Sequence, residues 1–251
     1  MADPILQVTG LQKSFGEHRV LDGIDVTVTA GQIVGVLGPN GSGKSTMLNV
    51  VSGFAPSNGG KILFKGRDIT RLPAHRVAEA GLVRTFQLPS MPQRMTVTEV
   101  LYAGNVAAGG LGGMFGATSD DRDAVEDLIA NLALEPVRDL PASSLSGGQK
   151  KLLSIALAMR TKPSMLCLDE PTAGVHPSLR HHMVGLLRRA NAGGITLMIV
   201  EHDMHFIHEL CERCVVLDRG ELIADCPPSE LRANPRVVEA YLGAAREKKV
   251  S

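Results

Sequence analysis

Apolar residues recur along the chain in two rhythms, and the changes between them predict its elements. Over residues 4–30, apolar and polar positions alternate in short pieces, as in Ile5-Leu6-Gln7-Val8 and Ile24-Asp25-Val26-Thr27-Val28, which predicts antiparallel strands. The stretch Gly59 to Asp68, GGKILFKGRD, adds a hairpin-like piece to this small lobe, whereas Ile33 to Leu37 is an unbroken apolar run that predicts a buried strand. Between Thr96 and Leu140 the spacing turns helical, through Val97, Val100, Leu101, Val125, Leu128, Ile129 and Leu132, with the glycine-rich Gly104 to Gly116 interrupting it. Beyond it, a helix over Leu152 to Met159, a strand over Met165 to Leu168, a helix over Leu179 to Ala190 and a strand over Ile195 to Val200 are expected. Helices alternating with apolar strands predict an α/β sheet covered on both faces.

The Ile33–Leu37 run leads straight into Gly38 to Thr46, GPNGSGKST, and then into a predicted helix from Thr46 to Val51. A strand, a glycine-rich turn and a helix start form the arrangement that cradles nucleotide phosphates, because Asn40, Gly41, Ser42 and Gly43 let consecutive backbone N–H groups curve around an anion. Lys44 is expected to reach the β- and γ-phosphates of ATP, and Ser45 to ligate Mg²⁺. A glycine-serine turn with no ligand leaves the lysine at the helix mouth unexplained.

With 251 residues and 26.6 kDa the chain can bury a substantial core without disulfides. Lys plus Arg equals Asp plus Glu at 26 each, so no overall basic field recommends nucleic acid as a partner. No apolar run approaches the roughly 20 residues needed to cross a bilayer, and the start MADPILQVTG lacks an export signal, so a cytoplasmic ATP-using protein is expected. Cys211 and Cys214 have the spacing of a redox pair or half a zinc site, with His205 and His208 just upstream. On one helix, however, successive three-residue steps drift by about 60° each, so the four side chains do not converge on an ion, and buried structural cysteines are expected.

Two apolar strands end in charge. Met165 to Glu170, MLCLDE, places Asp169 where it can hold Mg²⁺ and Glu170 where it can polarise a water attacking the γ-phosphate. Ile195 to Val200 ends in Glu201-His202-Asp203, bringing His202 to the same sheet edge, from which it can donate to the γ-phosphate. Leu145 to Gln149, LSGGQ, opens a helical run with Ser146 as cap, and Gly147 and Gly148 leave N–H groups exposed. A second anion-binding terminus in one chain hints at a head-to-tail, twofold-related dimer in which it serves the other subunit's nucleotide.

With these pieces in order, the sequence closely resembles the ATP-binding cassette (ABC) ATPases over nearly its whole length. GPNGSGKST resembles the Walker A loop, Gln87 in RTFQ the Q-loop, LSGGQ the signature, MLCLDE Walker B, and His202 in VEHD the switch histidine. The resemblance implies a P-loop NTPase fold of α/β class: a RecA-like core, a small antiparallel β lobe and a helical subdomain. It implies one ABC ATPase domain over 1–251, divided into lobe and phosphate-loop part (1–87), helical subdomain with a glycine-rich insert (88–144), signature helix and rest of the core (145–232) and C-terminal tail (233–251). It further implies that Ser146, Gly147 and Gly148 contact the γ-phosphate across a dimer, that Gln87 approaches Mg²⁺ and the attacking water, and that Phe15 stacks on adenine. His176 stands in the D-loop where the family commonly has Asp or Asn.

RTFQ, DEPTAGVHP, EHDM and the tail from Asn234-Pro235 to Ala240-Tyr241-Leu242-Gly243 resemble the ATP-binding subunit of branched-chain amino acid importers, with urea or short-amide systems related. The implied partners are a second ATP-binding subunit, multi-span permease subunits and, indirectly, a periplasmic solute-binding protein, at the cytoplasmic face of the inner membrane. A lipopolysaccharide-export ATPase and a soluble clamp acting on nucleic acid or ribosomes are the alternatives. Leu88, Met91, Met95 and Val97 form either a permease-docking surface or subdomain core, and His75, Arg76 and Arg84 either a local basic patch or a solvated helix face.

Overall fold

The computed structural model describes residues 3–85, 90–109 and 119–247. Two long strands, β1 (Pro4–Phe15) and β2 (His18–Thr29), pair antiparallel, and β4 (Gly59–Phe64) with β5 (Arg67–Asp68) completes a four-stranded sheet in the order β2-β1-β4-β5. The short alternating pieces read from the sequence are segments of these two strands, separated by register shifts such as the one between Val8 and Leu11.

The core sheet holds β3 (Ile33–Leu37), β6 (Leu82–Arg84), β7 (Met165–Asp169), β8 (Thr196–Val200), β9 (Arg213–Asp218) and β10 (Glu221–Cys226), in the order β10-β9-β3-β8-β7-β6. Only β10 runs antiparallel, as an edge strand joined to β9 by a tight turn in which Arg219 and Gly220 both take positive φ, as two-residue hairpins require. Alternate residues of each strand serve different cores. Leu166, Leu168, Leu197 and Ile199 pack beneath the helices, whereas Met165, Cys167, Met198 and Val200 face the antiparallel lobe.

The lobe side carries α1 (Lys44–Val51) and α2 (Ala74–Glu79). On the other side lie α3 (Val97–Gly109), α4 (Ser119–Asn131), α5 (Gly147–Arg160), α6 (Pro177–Ala192) and α7 (Met204–Leu210), and α8 (Pro235–Glu247) closes the chain against β10. Gly104 does not interrupt α3. It lies within the helix, where a Cβ would stand 2.7 Å from Leu157 Cδ1, so its role is close packing on α5. α3 continues to Gly109, and only the remainder of the expected insert, 110–116, lies outside the described residues.

His205, His208, Cys211 and Cys214 do not share a helix: α7 ends at Leu210, Cys211 is its C-cap residue and Cys214 lies in β9. A Cβ on Gly35 would lie 3.2 Å from Cys214 Sγ and 3.3 Å from Cys211 Sγ, so the two thiols fill the space beneath the centre of β3. Among the described residues there is no cluster of His, Cys, Asp and Glu able to hold a metal by itself, and no helix long and apolar enough to cross a membrane.

Candidate nucleotide-binding and hydrolysis site

Because β8 lies between β3 and β7, the register aligns Val200 with both Val36 and Asp169. The segments leaving these three strands therefore meet at one edge of the sheet, bringing together the Gly38–Thr46 loop, Asp169-Glu170 and Glu201-His202.

Gly38 sits at φ 144°, and a Cβ there would lie 2.1 Å from the Leu217 carbonyl oxygen. Gly43 takes φ 103° at the mouth of α1, where a Cβ would stand 2.9 Å from the Val20 carbonyl oxygen, so only glycine lets the β1–β2 hairpin press on the loop. Gly43 caps α1 without a side-chain acceptor, leaving first-turn N–H groups for an external anion, and the buried Ser42 hydroxyl makes no hydrogen bond among the described residues. Lys44 Nζ donates to the carbonyls of Gly38 at 2.9 Å and Pro39 at 2.8 Å across the loop. Burial lowers the Lys44 ammonium below its ordinary range, and Glu170 and Asp169 oppose that shift. The loop thus has the shape, donors and charge for a polyphosphate.

Ser45 Oγ lies 3.4 Å from Asp169 Oδ1. A hydroxyl beside a carboxylate is a hard-oxygen pair that suits Mg²⁺, which takes one or two protein ligands and fills its octahedron with phosphate and water. The other carboxylate oxygen, Oδ2, accepts from Arg84 Nη2 at 2.8 Å, and Arg84 also donates to Asn49 Oδ1. Arg84 therefore belongs to the interior and not to a surface basic patch with His75 and Arg76.

Glu170 holds φ 46°, uncommon for a side chain with a Cβ, between two hydrogen bonds: its N–H donates to Val200 O at 2.9 Å, and its carbonyl accepts from Lys151 Nζ at 2.8 Å. This turn directs the partly buried carboxylate toward His202, with Oε1 3.9 Å from Nδ1. His202 is 63% exposed, free to meet a phosphate from the solvent side.

Beneath it lies Glu201, fully buried. One carboxylate oxygen accepts from the Thr172 N–H and hydroxyl, and the other from the N–H groups of His202 at 2.9 Å and Asp203 at 3.2 Å. It thereby binds the His202 turn to the segment following Glu170. Sequence reading gave Glu201 no role. The available signal was a carboxylate placed directly after four apolar strand residues, Leu197 to Val200, where burial demands partners.

Phe15 is 55% exposed at the end of β1, with Lys13 Nζ 4.8 Å from its ring centroid, on the hairpin whose Val20 touches Gly43. Ser146 caps α5 in a full capping box with Gln149, and no Cβ neighbour would crowd Gly147. One turn on, Lys151 reaches the carbonyls of Glu170 and Ala173, tying α5 to the acidic turn. His176 caps α6, its Nδ1 accepting from the Ser178 N–H at 3.3 Å, which gives this residue a structural task at its own helix. Gln87 and Leu88 lie outside the described residues. Val97 is core, whereas Met91 and Met95 are partly buried and line a groove.

The family model described as ABC transporter matches residues 21–173, and that for the branched-chain amino acid ATP-binding cassette transporter matches residues 221–247. The probable branched-chain amino acid transport ATP-binding protein LivG of Archaeoglobus fulgidus is 39% identical, covering 96% of each chain. The high-affinity branched-chain amino acid transport ATP-binding protein BraF of Pseudomonas aeruginosa is 34% identical over 98% of this chain and all of that one. A crystal structure of an ATP-binding cassette of an ABC transporter in its ADP conformation superposes with a TM-score of 0.82 at 35% identity, covering 96% of this chain and all of the other. The antiparallel lobe, RecA-like core and helical subdomain are therefore those of an ABC nucleotide-binding domain, and the chain belongs to the ABC transporter family as an ATP-hydrolysing subunit closely related to LivG- and BraF-type proteins.

Proposed function

We propose that this subunit powers the import of branched-chain amino acids, or a related amino acid or amide, through separate multi-span permease subunits at the cytoplasmic face of the inner membrane. The observation that carries the reading is the meeting of Lys44, Ser45, Asp169, Glu170 and His202 at one sheet edge, in a chain related along its length to LivG. Two such subunits, identical or closely paralogous, close around two ATP molecules. Phe15 and Asn40 to Thr46 of one copy face Ser146, Gly147 and Gly148 of the other.

Ser45 and Asp169, with Gln87, would hold Mg²⁺, which when bound would supply charge neutralisation at the phosphates. Glu170 accepts a proton from the attacking water, His202 donates to the γ-phosphate, and Lys44 compensates charge at the β- and γ-phosphates. Water attacks the γ-phosphorus, its bond to the ADP oxygen breaks, and phosphate release lets the dimer reopen. A mainly apolar groove of about 540 Å³ lined by Thr85, Met91, Pro92, Met95, Gly104 and Leu157 suits a permease's cytoplasmic loop, through which closure reaches the membrane. A periplasmic solute-binding protein then supplies the cargo.

Uptake of labelled leucine by cells lacking this chain tests the proposal. Uptake falls in the deletion and returns with the native chain but not with Glu170→Gln. Unchanged leucine uptake in the deletion contradicts branched-chain amino acids as the cargo.

A further inference from the structure

A bond from the far end of the chain reaches the start of the phosphate loop. The Gly38 N–H donates to the Tyr241 hydroxyl at 3.0 Å, joining residues 203 positions apart. Gly38 is where β3 turns into the loop, at a φ that ordinary side chains avoid, and its peptide sets the direction in which the following N–H groups point. Without a partner, this half-buried N–H would favour other loop conformations.

The hydroxyl is well placed to hold it. Asn234 Oδ1 caps the start of α8 by accepting from the Arg236 N–H at 3.1 Å, Val237 is buried, and Tyr241, four residues on, shares its helix face. Burial raises the phenol above its ordinary value, so it stays protonated across the physiological range. Elsewhere, loop and helix face each other across a cleft of about 420 Å³ lined by Asn40, Ser42, Arg219, Arg236 and Glu239.

We propose that Tyr241 is a positioning residue for the phosphate loop, tying the C-terminal helix to the nucleotide site. The docked helix holds the loop in its binding shape, so less ordering is left for the nucleotide to impose. By linkage, bound nucleotide tightens the helix by the same factor. This inference rests on the reading of Gly38 to Thr46 as the ATP site.

Tyr241→Phe removes the hydroxyl and keeps the ring. Titration of the full chain with a fluorescent ATP analogue and Mg²⁺ gives binding roughly threefold to tenfold weaker than in the native protein, the span expected for one neutral hydrogen bond. In the native chain, MgATP slows amide exchange over residues 235–242, and in Tyr241→Phe that nucleotide-linked slowing is lost. Affinity within twofold of native overturns the proposal, even if the melting temperature falls, as does native protein whose α8 exchange ignores nucleotide. Lys44→Ala run alongside separates the two readings, because binding undiminished by that change overturns the site itself.

Discussion

Arg84 Nη2 donates to Asp169 Oδ2 at 2.8 Å, and the side chains are only 6% and 11% exposed. The pair fixes the carboxylate so that its other oxygen faces Ser45, and Arg84 also lines the groove proposed above as a docking site. Arg84→Met leaves a buried carboxylate without its cation and costs about 3–5 kcal/mol, read by chemical denaturation. Arg84→Lys keeps the charge but not the planar fork, so it retains more stability while changing the Mg²⁺ concentration needed for half-maximal ATP binding. Equal stability of the native chain and Arg84→Met contradicts this account.

Glu201 receives four hydrogen bonds inside the protein. Glu201→Ala strands buried donors of Thr172 and the His202 turn and lowers stability by about 3 kcal/mol or more. Turnover falls at least about tenfold, because the His202 and Glu170 segments lose their common anchor. Steady-state ATPase assays at a temperature where the variant remains folded check this.

Lys44 carries a definite sign. Its folded pKa lies below 10.5, with burial as the main cause, so the unfolded chain binds more protons between the lowered value and 10.5. In that window this group makes stability rise with pH. Bound phosphates favour the ammonium, so within that window ATP binding takes up protons. Calorimetric titrations in two buffers of different ionisation enthalpy should give different heats, and identical heats contradict the placement of Lys44 at the phosphates.

Cys167 and Cys214 are buried, and burial pushes both thiols up to about 12, with Cys211 raised as well. Cys226 is half-buried and also raised. Native-state alkylation near neutral pH therefore marks Cys226 first and the other three only on unfolding. Rapid labelling of Cys211 and Cys214 together would contradict their role as packing beneath β3.

Periodicity located the strands that carry the site, because β3, β7 and β8 are buried on both faces and read as plain apolar runs. It missed β9 and β10, although the run from Arg213 to Asp218 and the Arg219-Gly220 turn have the form of a hairpin, because the Cys-His spacing drew Cys214 onto a helix. Motifs singled out Lys44, Ser45, Asp169, Glu170 and His202, which the strand register brings to one sheet edge. They could not supply Arg84 or Tyr241, since pairing across 85 and 203 residues depends on strand order and on where the last helix docks. Gly104 misled for a physical reason: glycine can break a helix, but here it lets α3 approach α5.

The most direct test of the account is Glu170→Gln with MgATP, with oligomeric state, bound nucleotide and turnover measured on one sample. The carboxamide keeps the size of the side chain and loses its basicity, so turnover should fall by about two orders of magnitude or more. The protein should then elute as a dimer retaining ATP, whereas the native chain returns to monomer as ATP is consumed. Turnover near the native rate, or a variant that stays monomeric with ATP bound, would contradict both Glu170 as the base and the two-copy ATP site.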